Sequence, residues 1–161
     1  MEEFIMAKKT LSLMNQQLDA LLHGETNLIA NMSNASALLK SSYSDINWAG
    51  FYQYDASADE LVLGPFQGNV ACMHIANGSG VCGTALSTEN VQRIANVHEF
   101  AGHIACDSAS NSEIVVPLIK NGHKLGVLDI DSQSLNRFTS DNQEELESFA
   151  AVFLSHVDMP A

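Results

Sequence analysis

Positive charge is what this sequence has least of. Lys and Arg total 7 against 19 Asp and Glu, giving a net charge of -12 over 161 residues. No basic cluster offsets the deficit, which argues against a phosphate-backbone partner and against an anionic membrane surface. Long apolar runs are missing too, since none reaches the roughly 18–20 residues of a membrane span. The opening MEEFIMAKK begins acidic and has no hydrophobic segment, so it does not read as a secretory signal. These absences predict a cytoplasmic protein with no nucleic acid and no membrane to bind. Cysteine is scarce as well, at 3 residues. In a reducing compartment such thiols are expected to be free, catalytic or metal-bound rather than a structural framework. What is present is a 46% hydrophobic and 16% charged composition, suited to one compact core.

Apolar periodicity then places the elements. Leu11, Met14, Leu18, Leu21 and Leu22 predict a helix over about 8–23, with Gly24 as its stop. Thr26 is the expected cap of a second helix reaching about Lys40, with Leu28, Ile29, Met32, Ala35, Leu38 and Leu39 inward. The aromatic-rich run 46–54 and the run 60–64 read as strands about a turn, and 71–75 as another strand. NGSG (77–80) is a tight turn into a short helix over 81–88, and 91–97 reads as a strand. SEIVVPLI (112–119) and HKLGVLDID (123–131) form a hairpin about Asn121-Gly122. Ser140 with Gln143 is the expected capping box of a closing helix over about 141–156, burying Leu146, Phe149, Ala150, Phe153 and Leu154. The order predicts one α+β domain over 1–161, with N-terminal helices at about 8–40, an antiparallel sheet and loops at about 46–131, and the closing helix.

Two groups of residues stand apart from packing. Cys106 sits in a run of small and polar residues, EFAGHIACDSASNSE (99–113), with His103 and Asp107 beside it. Cys72 and Cys82 lie in other elements, and no CxxC occurs. The three thiols are compatible with core filling, with zinc held together with His74, His98 or His103, or with a redox site in which one thiolate attacks and another resolves. Cys82 follows a Gly-rich turn at a helix start, a position that lowers a thiol pKa. A Cys-His-Asp hydrolase reading of His103, Cys106 and Asp107 is the weaker one, because sequence neighbours seldom form a triad in space. Asp129 and Asp131 share one face of an otherwise apolar strand. A two-residue turn would pair Ile114 with Asp129 and send Glu113 to the opposite face, whereas a three-residue loop would pair Glu113 with Asp129. In the second register three carboxylates cluster, and their repulsion keeps a proton available near neutral pH.

The stretches NWAGFY (47–52), LGPFQG (63–68), AC (71–72), GVCGTA (80–85), GHIACDSAS (102–110), SEIVVPL (112–118) and GVLDID (126–131) occur in this order. In them the chain resembles the GAF-fold free methionine-R-sulfoxide reductases, from about Ile46 to the closing helix. Ala101 stands where the family pattern has Pro, and NVACMH and ANGSG are local variants. The resemblance implies helices packed on one face of the sheet and a ligand pocket on the other.

It also implies a reaction, the reduction of free L-methionine-(R)-sulfoxide to L-methionine, with no bound cofactor and no metal. By similarity Cys106 is the attacking thiolate and passes through a sulfenic acid, and Cys72 resolves it as a disulfide. Cys82 is the other resolving candidate or a relay. Thioredoxin, supplied by NADPH, would then reduce the disulfide. Glu113, Asp129 and Asp131 would serve the substrate ammonium and the sulfoxide oxygen, with Asp131 or Glu113 as proton donor. Trp48 and Tyr52 would wall the S-methyl group. Backbone N–H groups around Gly80, Val81 and Cys82 would take the substrate carboxylate. The loop 98–111 is the expected lid, and the N-terminal helices could support a homodimer. The alternative is a GAF small-metabolite sensor without turnover, since one fold hosts both.

Overall fold

A computed structural model describes residues 10–104, 106 and 108–159. Ser12 opens the first helix, α1 (Leu13–Leu22), by accepting a hydrogen bond from the Asn15 N–H. Met14, Leu18 and Leu22, four residues apart, form its buried stripe, while Leu21 lies off that stripe and is exposed. Gly24 ends the turn with φ 78°, the left-handed conformation that glycine tolerates. The second helix, α2 (Leu28–Ser42), is capped by Asn27 and not by Thr26. A cap oxygen must reach the N–H three residues on, and with Leu28 as the first helical residue only Asn27 reaches Ala30. Met32, Ala35 and Leu39 are buried, and Ile29 faces out.

Six strands follow: β1 (Trp48–Asp55), β2 (Glu60–Gln67), β3 (His74–Ala76), β4 (Gln92–Ile94), β5 (Ser112–Lys120) and β6 (His123–Ser132). They form one antiparallel sheet in the order β3-β2-β1-β6-β5-β4. Strand β2 runs past Pro65 because the ladder with β1 shifts register between Gly50 and Tyr52, and a bulge needs no N–H there. The stretch expected as a strand at 71–75 contributes only His74 and Ile75 to β3. Helix α3 (Gly80–Thr88) crosses from β3 toward β4, and α4 (Ser140–Ser155) closes the chain. The capping box of α4 is Thr139 with Asn142, one residue before the expected Ser140 with Gln143. Ser140 is already helical, so its hydroxyl lies inside the first turn.

The β5–β6 hairpin decides which side chains share a face. Asn121 and Gly122 have φ 53° and 76°, and Lys120 pairs with His123 across a two-residue turn. Without further irregularity Glu113 would point away from the aspartates. A bulge intervenes, so that Ile119 faces Lys124 but Leu118 faces Gly126. The one extra residue restores the parity, and Glu113 faces Asp131 while Val115 faces Asp129. Neither expected register is the real one, yet the three carboxylates end on one face. Gly126 makes the bulge possible, because a Cβ there would lie 1.9 Å from the Tyr52 carbonyl oxygen.

Alternation along the strands then sorts two cores. Ala49, Phe51, Ile114, Val116, Leu118, Leu128 and Ile130 pack under α1, α2 and α4. Trp48, Tyr52, Val115 and Val127 face the other way, against α3. Three helices therefore cover one face of the sheet, and a cavity opens on the other. Among the described residues no helix is long and apolar enough to cross a membrane.

Candidate active site

Strands β1, β5 and β6 build the floor of the cavity. Every second residue of β1 faces it, which brings Trp48 and Tyr52 to one wall. Their rings stack at 5.9 Å between centroids, and Trp48 stacks at 5.0 Å on Phe66 behind it. The polar ends of both rings are engaged. Trp48 Nε1–H donates to the Asn69 carbonyl at 3.1 Å, and Tyr52 O–H donates to the Cys72 carbonyl at 2.9 Å. Burial, and next the Asp129 charge, raise the Tyr52 hydroxyl above its ordinary range, so it stays a donor.

Glu113, Asp129 and Asp131 lie at the base, brought together by the hairpin register. Glu113 and Asp129 are buried. Burial raises the Glu113 carboxyl well above the carboxylate range, and the charges of Asp129 and Asp131 push the same way. Asp129 is raised by burial too, with hydrogen bonds from Glu113 and Cys82 pulling it back. Of the two, Glu113 is the carboxyl that holds a proton more strongly, because nothing lowers it while hydrogen bonds pull Asp129 back. Asp129 Oδ1 is buried without a hydrogen-bond partner among the described residues, a free acceptor at the cavity base.

Cys82 sits in the first turn of α3, buried, with its Sγ 4.0 Å from Glu113 Oε2. The depressed thiol pKa expected from a helix start is not found there. Burial raises the thiol well above its usual value, and Asp129 and Glu113 raise it further. A helix terminus contributes about 0.3–1 kcal/mol at an exposed site, whereas full burial can move a pKa by roughly 3–5 units. Cys82 is therefore a neutral thiol that donates into the carboxylate cluster. Cys72 and Cys106 are joined in a disulfide, with Cα atoms 5.2 Å apart. Cys106 lines the cavity, and Cys72 packs behind it against the same apolar cluster.

The start of α3 supplies the third wall. Ser79, Gly80, Val81 and Cys82 line the cavity. Ser79 makes no side-chain cap, so the leading N–H groups of this helix are left to whatever occupies the cavity. The whole space, mouth included, is about 500 Å³. Sequence reasoning did not single out Ile75, Ile104 and Ser110 in the lining. Ser110 accepts a hydrogen bond from Asn47 Nδ2 at 3.0 Å, a contact no local pattern signals.

The histidines take other roles. His74 bonds Glu60 at 2.8 Å, and His98 bonds Asn111 at 2.9 Å, so neither joins a cysteine to hold zinc. Among the described residues the group able to hold a cation is Cys82, Glu113 and Asp129, whose ligand atoms lie within 4.8 Å of one another. Protons on Cys82 and Glu113 make that group a hydrogen-bond network first. His103 lines the cavity, with burial lowering its pKa and His98 adding to the effect. Asp107, its partner in a triad reading, lies outside the described residues.

Comparison with known proteins places this geometry. Residues 17–154 match the GAF domain family. The chain is 53% identical over 138 residues to the free methionine-R-sulfoxide reductase of Escherichia coli, covering 86% of this chain and 82% of that protein. It is 49% identical to the enzyme of the same name from Saccharomyces cerevisiae, covering 82% of this chain and 77% of that one. The X-ray structure of free methionine-R-sulfoxide reductase from Neisseria meningitidis in complex with its substrate superposes with a TM-score of 0.86. That pair is 40% identical, with 89% of this chain and 85% of that one covered. With this family match and these identities over most of both chains, the chain belongs to the GAF-domain family of free methionine-R-sulfoxide reductases.

Proposed function

We propose that this protein reduces free L-methionine-(R)-sulfoxide to L-methionine by thiol chemistry. The observation that carries the reading is the Cys72–Cys106 disulfide beside a cavity that has Glu113, Asp129 and Asp131 at its base. It corresponds to the product state of one turnover. In the reduced enzyme the Cys106 thiolate attacks the sulfoxide sulfur. Glu113, held protonated by its surroundings, gives its proton to the departing oxygen. The protonated oxygen passes to Cys106 Sγ as the substrate's S–O bond and the transient S–S bond break, so methionine leaves and Cys106 is left as a sulfenic acid. The Cys72 thiolate then attacks that sulfur, water departs, and the disulfide closes. Asp129, with its unpartnered Oδ1, and Asp131 take the substrate ammonium. The N–H groups of Gly80, Val81 and Cys82 take the carboxylate. Trp48 and Tyr52 face the S-methyl group.

Thioredoxin, recharged by NADPH, is the reductant in this reading, and a reducing cytoplasm is the compartment that supplies it. No bound cofactor enters, because the electrons come from thiols. Exposed Leu13, Leu21 and Ile29 on α1 and α2 support the homodimer expected from these helices. The decisive assay couples NADPH oxidation to thioredoxin with free R-sulfoxide as substrate. Cys106→Ser should abolish turnover, whereas Cys82→Ser should retain the Cys72–Cys106 bridge after one turnover, mapped by mass. An active Cys106→Ser protein would refute the assignment. A sensor predicts sulfoxide binding with no NADPH consumed.

A further inference from the structure

The reaction leaves a disulfide that something must reopen, and its two sulfurs lie in different surroundings. Between Glu60 and Glu89 the chain carries no Asp, Glu, Lys or Arg, although its net charge is -12. Within this uncharged stretch Val70 is 87% exposed and Met73 68% exposed, on either side of Cys72. Ile104, two residues before Cys106, is 39% exposed at the cavity. The Cys72 side of the disulfide thus carries exposed apolar side chains and no Asp, Glu, Lys or Arg, whereas the Cys106 side shares the cavity with Glu113, Asp129 and Asp131. Two exposed apolar side chains within one residue or two of a reducible sulfur offer a partner a place to touch.

The two sulfurs are not equivalent. The Cys72 segment is pinned to the sheet through three carbonyls. Trp48 Nε1–H donates to Asn69 at 3.1 Å, Tyr52 O–H to Cys72 at 2.9 Å, and the Leu63 N–H to Met73 at 2.9 Å. Cys106 belongs instead to the loop that lines the cavity. We infer that the exposed flank of Val70 and Met73 around Cys72 is the docking surface of a protein dithiol reductant, whose thiolate attacks Cys72 Sγ and not Cys106 Sγ. This rests on the proposed activity. The incoming thiolate forms a bond to Cys72 Sγ, the Cys72–Cys106 bond breaks, and Cys106 leaves as a thiolate into the cavity, where the next sulfoxide needs it. The reductant's second thiolate attacks its own sulfur in the mixed disulfide. Cys72 departs as a thiolate and takes up a proton, and the reductant ends as a disulfide, having given up two electrons. Attack at Cys106 would instead cap the nucleophile and block the cavity.

The test uses the full chain in its oxidised form and a thioredoxin whose second active-site cysteine is serine. The trapped mixed disulfide should map to Cys72, and a bond to Cys106 overturns the inference. In parallel, the double variant Val70→Lys, Met73→Lys should raise the KM for intact thioredoxin roughly tenfold. Its KM for the sulfoxide and its turnover with dithiothreitol should stay as in the wild type. An unchanged thioredoxin KM overturns the docking surface. Wild-type protein that fails to turn over with dithiothreitol overturns the proposed activity and this inference with it.

Discussion

Glu113 is the residue on which acid–base behaviour turns. Its folded-state pKa is raised above the unfolded value, first by burial and then by Asp129 and Asp131. The folded protein therefore binds this proton more tightly than the unfolded chain does. Its contribution to stability is fully present below the unfolded pKa and is lost as pH rises toward the folded one. Glu113→Gln removes that loss. The variant should be more stable than the wild type at pH 8 by roughly 1 kcal/mol or more, with the gap closing near pH 4, read from thermal unfolding at both. With Glu113 as the donor of the proposed mechanism, its kcat should fall by about 10²–10⁴. The wild-type rate should decline through an alkaline limb as Glu113 ionises. A variant with wild-type kcat and the same limb would assign the donor elsewhere.

Elements place that residue, and the β5–β6 hairpin does so through one glycine. In Gly126→Ala the new Cβ would meet the Tyr52 carbonyl at 1.9 Å, with φ at 154° adding strain. The bulge cannot relax away from β1 without giving up the ladder that Gly126 shares with Gln53 and Leu118. Chemical denaturation should show a loss of about 2–4 kcal/mol. Activity should fall even in the folded fraction, because a register slip by one turns Glu113 to the opposite face. An unperturbed midpoint would mean that β1 yields. The closing helix offers a second comparison. Thr139→Ala removes the oxygen that accepts from Asn142 and should cost about 1 kcal/mol, while Ser140→Ala should cost little. Equal costs would move the cap back to Ser140.

Across the whole molecule, the sheet divides labour between its faces. Three helices cover one face and form the larger core, which leaves the other free for a cavity closed by α3 and the Cys106 loop. A cavity with buried carboxylates needs a cation, and a free amino acid brings one. N-acetyl methionine sulfoxide has lost it and leaves Asp129 unpaired. Its kcat/KM should therefore fall by about 10²-fold or more relative to the free compound, measured with dithiothreitol to bypass protein docking. Equal rates would mean that the carboxylates do not hold the ammonium.

The sequence by itself determined what is local. The helix stripes of Met14, Leu18 and Leu22 and of Phe149 and Phe153, the Asn121-Gly122 turn and the order of the elements follow from periodicity and turn chemistry, which act between near neighbours. The long motifs around Cys72, Cys82, Cys106 and the acids identified the family before any coordinate was needed. Only the tertiary structure decided three matters. One was the bulge at Gly126, because a glycine in a strand signals close approach without saying which backbone approaches. Another was the protonated state of Cys82, because the carboxylates that bury it come from strands about thirty residues and more away. The last was the choice of Cys72 over Cys82 as the partner of Cys106, which the family resemblance implied but spacing could not give, since spacing along a chain does not measure distance across a cavity. Each of these depends on contacts between distant segments, and such contacts exist only once the sheet has brought those segments together.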